Sequence, residues 1–139
     1  TMRRVDAVTL SDGFFSTVTV PTLIIGSELD MTDPFFVDAQ RAFNALPIGA
    51  KYVGLAEVLD GGHNTFTDLC ELQPDILDVV GGANEGCQPW QLPWKHAHDL
   101  INYLSLNFFD AILNDDEEAL DRLAPEVVGE LEDLRYWRK

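Results

Sequence analysis

The sequence predicts an α/β fold: a small sheet of about three parallel strands with flanking helices. Two observations carry this. Short apolar runs alternate with segments at helical spacing, in the order strand, strand, helix, strand, helix, helix. The run VPTLIIG at residues 20–26 is continuously apolar and stopped by glycine, as suits a strand covered on both faces of a parallel sheet. The 139 residues fit one domain, and a 46% hydrophobic content is enough to build its core.

The first predicted strand is VDAVTL, residues 5–10, with alternating polarity and several Val and Thr. A short turn-containing connection, SDGFFSTVT, leads to the second strand at 20–26. Asp33-Pro34 then reads as a helix start, with Asp as the cap and Pro at the first helical position. Phe35, Ala39, Ala42, Phe43 and Leu46 recur at helical spacing down to Pro47. KYVGLAEVL, residues 51–59, is the third strand, ended by DGGH. Residues 64–94 are a long polar segment with a possible short helix near 74–80; connections of that length are often functional. Residues 94–114 form a clear helix, with Ala97, Leu100, Ile101, Leu104, Phe108, Ala111 and Ile112 on its apolar stripe. Asp115-Asp116-Glu117-Glu118 opens a last helical region running toward Trp137 and interrupted at Pro125; residues 114–139 therefore read as an acidic helical extension.

Two features suggest a sheet that continues beyond these strands. The connection over residues 11–19 is short for a parallel crossover. The outer strand at 5–10 would also leave an edge unpaired.

Composition narrows the partners. A net charge of −15, from 24 acids and 9 bases, argues against nucleic acid and anionic membranes, both of which need clustered Lys and Arg. The acidity reads as solubility or salt adaptation; cation binding is the sharper alternative, and no twelve-residue calcium loop is present. No apolar window is long enough for a membrane span, and TMRRVDAVTL does not read as a signal peptide. The two cysteines, Cys70 and Cys87, lie in a Gly-, Pro- and Asp-containing segment without nearby histidine, which makes a poor zinc site. A disulfide closing a surface loop is the first reading and would imply an oxidising compartment, extracellular or periplasmic; two free thiols are the alternative.

The chemistry gathers at strand ends. In open α/β sheets functional groups sit in the loops at the C-terminal ends of parallel strands. Asp30 follows the second strand and His63 the third, so both loops reach the same edge. A catalytic histidine needs a carboxylate to hold its tautomer and to stabilise the imidazolium. Asp33 has a capping role before Pro34, which leaves Asp30 as the acid for His63. Gly61 and Gly62 would let the backbone turn sharply before the histidine. His96 and His98 lie two apart on the long helix, face different sides and read as surface or core-edge residues. No HExxH, GxGxxG or phosphate loop occurs, and no metal or cofactor is called for.

VPTLIIGSELDMTDPF followed by LPIGAKYVGLAEVLDGGHNTF resembles the C-terminal half of an α/β hydrolase. The likeness is to the dienelactone-hydrolase-like, cutinase-like polyester hydrolase and platelet-activating-factor acetylhydrolase-like group, and it covers roughly residues 3–113. The resemblance implies that Asp30, ending Gly26-Ser27-Glu28-Leu29-Asp30, is the triad acid. It implies that His63, after Gly61-Gly62, is the triad base. VDAVTL resembles the strand two before the histidine strand, and INYLSLNFFDAIL the last helix. The group's disulfide near the histidine loop favours a Cys70–Cys87 pair.

The group's nucleophile stands in G-x-S-x-G, and no such motif is present. Ser11, Ser16, Ser27 and Ser105 all lack the glycine frame. The resemblance therefore implies a sheet that is incomplete without an N-terminal half, with the chain beginning just past the nucleophile. The expected function is the C-terminal part of a serine carboxylic-ester hydrolase that needs no cofactor. Its partner would be the serine-bearing N-terminal half, as a separate chain or cleaved segment, and its substrate an ester. The alternative is an inactive hydrolase-derived module that self-associates through its first strand. A cysteine-nucleophile relative fits poorly, because both cysteines follow the histidine.

Overall fold

The structure is a computed structural model and describes residues 12–71 and 85–139. The strand predicted at 5–10 and the short helix near 74–80 lie outside the described residues. The elements are α1 (Asp12–Phe15), β1 (Thr22–Ser27), α2 (Ala39–Ala45), β2 (Val53–Val58), α3 (Trp94–Leu113), α4 (Glu117–Arg122), α5 (Pro125–Val128) and β3 (Leu134–Arg138). Two short 3₁₀ turns, His63–Phe66 and Asp68–Cys70, follow β2.

The chain has mixed α/β character around one three-stranded sheet of order β1-β2-β3. β1 and β2 are parallel, with Ile24 opposite Leu55 and Gly26 opposite Glu57. The helical crossover through α2 joins them, as parallel neighbours require. β3 runs antiparallel on the other side of β2, with Leu55 opposite Trp137 and Glu57 opposite Arg135. Among the described residues the sheet is therefore one parallel pair, as expected for 20–26 and 51–59, joined by an antiparallel strand where the sequence reading expects a helix.

Alternation along the strands sorts the side chains onto two faces. Leu23, Ile25, Ala56, Val58, Leu134 and Tyr136 share the face covered by α3, whose Ala97, Leu100, Leu104 and Phe108 fill the core. Leu123 of the segment after α4 and Val128 of α5 join the same cluster. On the other face Gly26 leaves room for Phe35. A Cβ at Gly26 would come within 2.9 Å of the Phe35 ring and 3.1 Å of Ala39. Phe35 in turn packs on Trp137, ring centroids 6.0 Å apart.

Two expectations are corrected. Residues 114–139 are not helical to Trp137. α4 is started by Asp116, whose Oδ1 accepts from the Glu118 and Ala119 N–H groups at 2.9 and 3.1 Å. Pro125 opens α5, and the chain then enters β3 through Asp133 at φ 61°. The strand LRYWR has an alternating burial pattern, so pairing with β2 outweighs any helical continuation. Just past β3, Lys139 Nζ donates to the Leu46 carbonyl at the end of α2 at 2.8 Å. The second correction concerns Asp33. Residues 35–38 form turns over the Pro34 carbonyl, and α2 begins only at Ala39, so Asp33 caps no helix.

Candidate active site

β1 and β2 end side by side, and the loops that leave them are stitched together at once. The Glu28 N–H donates to Val58 O and the Leu29 N–H to Gly61 O, both at 2.9 Å. This brings Asp30 and His63, 33 residues apart in sequence, into contact: His63 Nδ1 lies 3.0 Å from Asp30 Oδ2.

The chain between Asp30 and Pro34 wraps around the carboxylate. Asp30 Oδ1 accepts from the Thr32 N–H at 2.9 Å and the Asp33 N–H at 2.7 Å. One oxygen is thus held by the backbone and the other faces the imidazole. Asp30 is only 8% exposed, so its direction is fixed by burial as well as by hydrogen bonds. Asp33, freed from capping, places Oδ2 3.8 Å from His63 Nδ1. An Asp30 carboxylate that accepts from Nδ1–H leaves Nε2 as the basic nitrogen. Among the described residues Nε2 has no hydrogen-bond partner, and the His63 side chain is 40% exposed.

The His63 pKa is raised above its ordinary value. The largest cause is the hydrogen bond to Asp30; partial burial opposes it, and the charges of Asp30, Asp33 and Glu85 add to it. Each of these carboxylates favours the protonated, positively charged imidazolium.

The histidine loop rests on a second loop, residues 85–91, inside the long polar segment noted in the sequence. Asn64 N–H donates to Glu85 O at 2.8 Å, and the Glu85 carboxylate accepts from the Met31 N–H and, at 3.4 Å, from the Thr32 hydroxyl. Gln91 Oε1 accepts from the Gly86 N–H at 2.7 Å. The disulfide between Cys70 and Cys87, Cα atoms 5.1 Å apart, ties this loop to the turn that follows His63. Cys87 gave the one sequence signal for this arrangement, and its neighbours Glu85, Gly86 and Gln91 gave none.

The glycines before His63 act differently from expectation. Gly62 has φ −114°, open to any residue. It is required for space: a Cβ there would stand 2.5 Å from Gly86 N and 2.8 Å from Gly86 Cα. The left-handed turn is made by Asp60, at φ 53°, and its carbonyl accepts from the Leu92 N–H at 3.0 Å. Gly86 is itself left-handed, at φ 100°, and a Cβ would fall 2.6 Å from Thr65 N.

His96 and His98 stand apart from this site. His96 Nε2 lies 3.3 Å from Asp133 Oδ2, and His98 Nδ1 lies 3.7 Å from Asp68 Oδ1. Ser27 Oγ is buried and donates to Gly62 O at 3.2 Å, and Ser16 Oγ donates to Gly13 O at 2.9 Å, so both hydroxyls are engaged with backbone carbonyls rather than with His63.

Asp30, Asp33 and His63 offer donor atoms that all lie within 4.8 Å of one another, a spacing a metal ion could bridge. Both Asp30 oxygens already accept hydrogen bonds, Oδ1 from two backbone N–H groups, and Oδ2 lies against His63 Nδ1. Two open grooves flank it and share Asp30. One, of about 620 Å³, is walled by His63, Phe14, Phe15, Ile24 and Phe66; the other, of about 650 Å³, by Met31, Glu85 and Trp90.

No protein-family model matches the chain, and none of the curated proteins matches it.

Proposed function

We propose that this chain supplies the acid and the base of a serine carboxylic-ester hydrolase of the α/β-hydrolase type, with the serine on another polypeptide segment. The observation that carries the reading is the Asp30 carboxylate, buried, pinned through Oδ1 by two backbone N–H groups and presenting Oδ2 to His63 Nδ1. Asp30 orients the imidazole. Nε2 of His63 takes the proton of a serine hydroxyl as that oxygen attacks the ester carbonyl. It then gives the proton to the departing alkoxide, leaving an acyl-serine. Water, deprotonated by the same nitrogen, releases the acid and restores the serine. The apolar groove beside His63 suits the acyl or alcohol part of an ester. The Cys70–Cys87 disulfide favours an extracellular or periplasmic setting, and no helix of the described residues is long and apolar enough to cross a membrane.

Hydrolysis of a p-nitrophenyl ester tests this. The pure chain is expected to give no meaningful rate, and a serine-bearing N-terminal half is expected to restore one that His63→Ala abolishes. A robust, His63-dependent rate from the chain alone would sink the split arrangement. A restored rate indifferent to His63 would sink the acid–base assignment.

The second reading is an inactive module that associates through its sheet. It is favoured by β1, whose residues Thr22 to Gly26 are only half-buried and whose outer edge has no strand partner among the described residues. Light scattering separates the two readings. A stable homodimer without a serine-bearing partner supports the module, and a monomer that binds that partner supports the split enzyme.

A further inference from the structure

The strand that sequence reading missed carries a cation that reaches the acid loop of the candidate site and, through Glu28, the histidine loop. Arg135 on β3 stands opposite Glu57 on β2, which in turn stands opposite Gly26 on β1. The three positions share one sheet face, and Gly26 places no side chain between the guanidinium and the far strand. Arg135 Nη1 donates to Glu57 Oε2 at 3.1 Å and lies 3.7 Å from Glu28 Oε1. The other oxygen of Glu28 accepts from the Asp60 N–H at 3.2 Å. Glu28 is two residues before Asp30, and Asp60 is three before His63.

We propose that Arg135 is a positioning residue for the Asp30–His63 pair, acting through Glu28; this rests on the acid–base reading above. Glu28 is a further side-chain link between the acid loop and the histidine loop, beside Ser27 and the pair itself, and it is the one that Arg135 engages. The burial of Glu57 supports this role. Its side chain is 2% exposed, and among the described residues Oε1 has no hydrogen-bond partner. A buried carboxylate with one incomplete ion pair stabilises a fold less than an apolar residue of similar size, so its use fits a requirement for fixed geometry. Arg135 itself is 52% exposed, which keeps the direct contribution of its ion pairs to stability small. Its effect is expected in where the two loops sit.

The test is an NMR titration of the His63 ring in the chain itself. The charged groups acting on His63 are Asp30, Asp33 and Glu85, and Arg135 is the cation behind them. Removing a cation by Arg135→Met would, through the field alone, raise the His63 pKa or leave it where it is. Loosening the contact between Nδ1 and Asp30 Oδ2 lowers it, so the two effects have opposite signs. The expected result is a fall, with proton affinity reduced about three-fold or more, on the order of half a pKa unit. Arg135→Lys, which keeps the charge, is expected to restore at least half of the loss.

Asp30→Asn is the control and is expected to give the larger fall. If Asp30→Asn lowers the pKa and Arg135→Met leaves it unchanged or raises it, the role of Arg135 is overturned and the pair stands. If Asp30→Asn has no effect, the acid–base reading itself fails. Should Arg135→Met lose its circular dichroism signal, Arg135→Gln takes its place. It keeps a donor for Glu57 without the cation that engages Glu28, and the same fall is expected.

Discussion

The loop after β2 and the first two turns of α3 both set histidine beside aspartate, yet they build different things. His63 meets an aspartate that is buried, held by two backbone N–H groups and aimed at one ring nitrogen. His96 meets Asp133, an acid 39% exposed, and His98 meets Asp68, 76% exposed at a longer 3.7 Å. Exposed pairs gain little from attraction, because water screens them and both side chains must be ordered to meet. What separates the Asp30–His63 pair from the other two is the anchoring of the acid. A proton acceptor needs one nitrogen fixed and the other free, and only the strand-end loops provide that.

The largest expected effect tests that anchoring directly. Asp30→Asn should lower the rate of the reconstituted enzyme by about 10³–10⁴-fold, because an amide cannot enforce the tautomer or stabilise the imidazolium. The pH dependence follows from the raised His63 pKa. The base works only when neutral, so the rate should rise with pH through a value above the ordinary histidine range. In Asp30→Asn the midpoint should move down. The stability effect has the opposite sense: a raised folded-state pKa contributes fully below the unfolded value near 6.5, and that contribution is lost as pH climbs through the folded one. Steady-state rates and chemical denaturation across pH measure the two separately.

Next comes the support beneath the histidine loop. Opening the disulfide by Cys70→Ser with Cys87→Ser should cost about 3 kcal/mol, the loop-closure value for a bridge between residues 17 apart. Urea denaturation measures it, and the Asn64 and Gly86 amides should exchange faster if the bridge holds the two loops together. Gly62→Ala should cost about 2 kcal/mol by pressing a methyl group into the Gly86 backbone. A neutral outcome in thermal melts would mean that the loops separate readily. The smallest effect belongs to the other side of the comparison. Asp133→Asn should change neither rate nor stability by more than about 0.5 kcal/mol, since Asn tolerates the left-handed backbone there and the His96 pair is exposed.

The candidate site was more legible in the sequence than the sheet that carries it. Asp30 and His63 follow apolar runs ended by turn residues, and such local punctuation identifies strand-end loops. Asp30 lies closer to His63 than Asp33 does, and what holds its carboxylate is two backbone N–H groups, while the cap on α2 that the sequence suggested for Asp33 is absent. β3 was hidden because its pairing is remote, and the acidic helix starts before it dominate the local pattern. Gly62 and Gly86 were unreadable for a related reason. Their need for glycine comes from two loops that touch only in three dimensions.

The antiparallel docking of β3 has a kinetic consequence. The Asp30–His63 contact closes 33 residues of chain, whereas the Arg135–Glu57 contact closes 78. Each doubling of a closed loop adds about 0.6 kcal/mol of entropy cost, and remote pairings slow folding further. The parallel β1–β2 pair is therefore expected to zip first, with β3 arriving last. In a pulsed hydrogen-exchange experiment β1 and β2 amides should gain protection before those of β3; simultaneous protection would show a single concerted step. On this order the aspartate and histidine come together early, and the refolding chain gains its last degree of precision only when the third strand locks in.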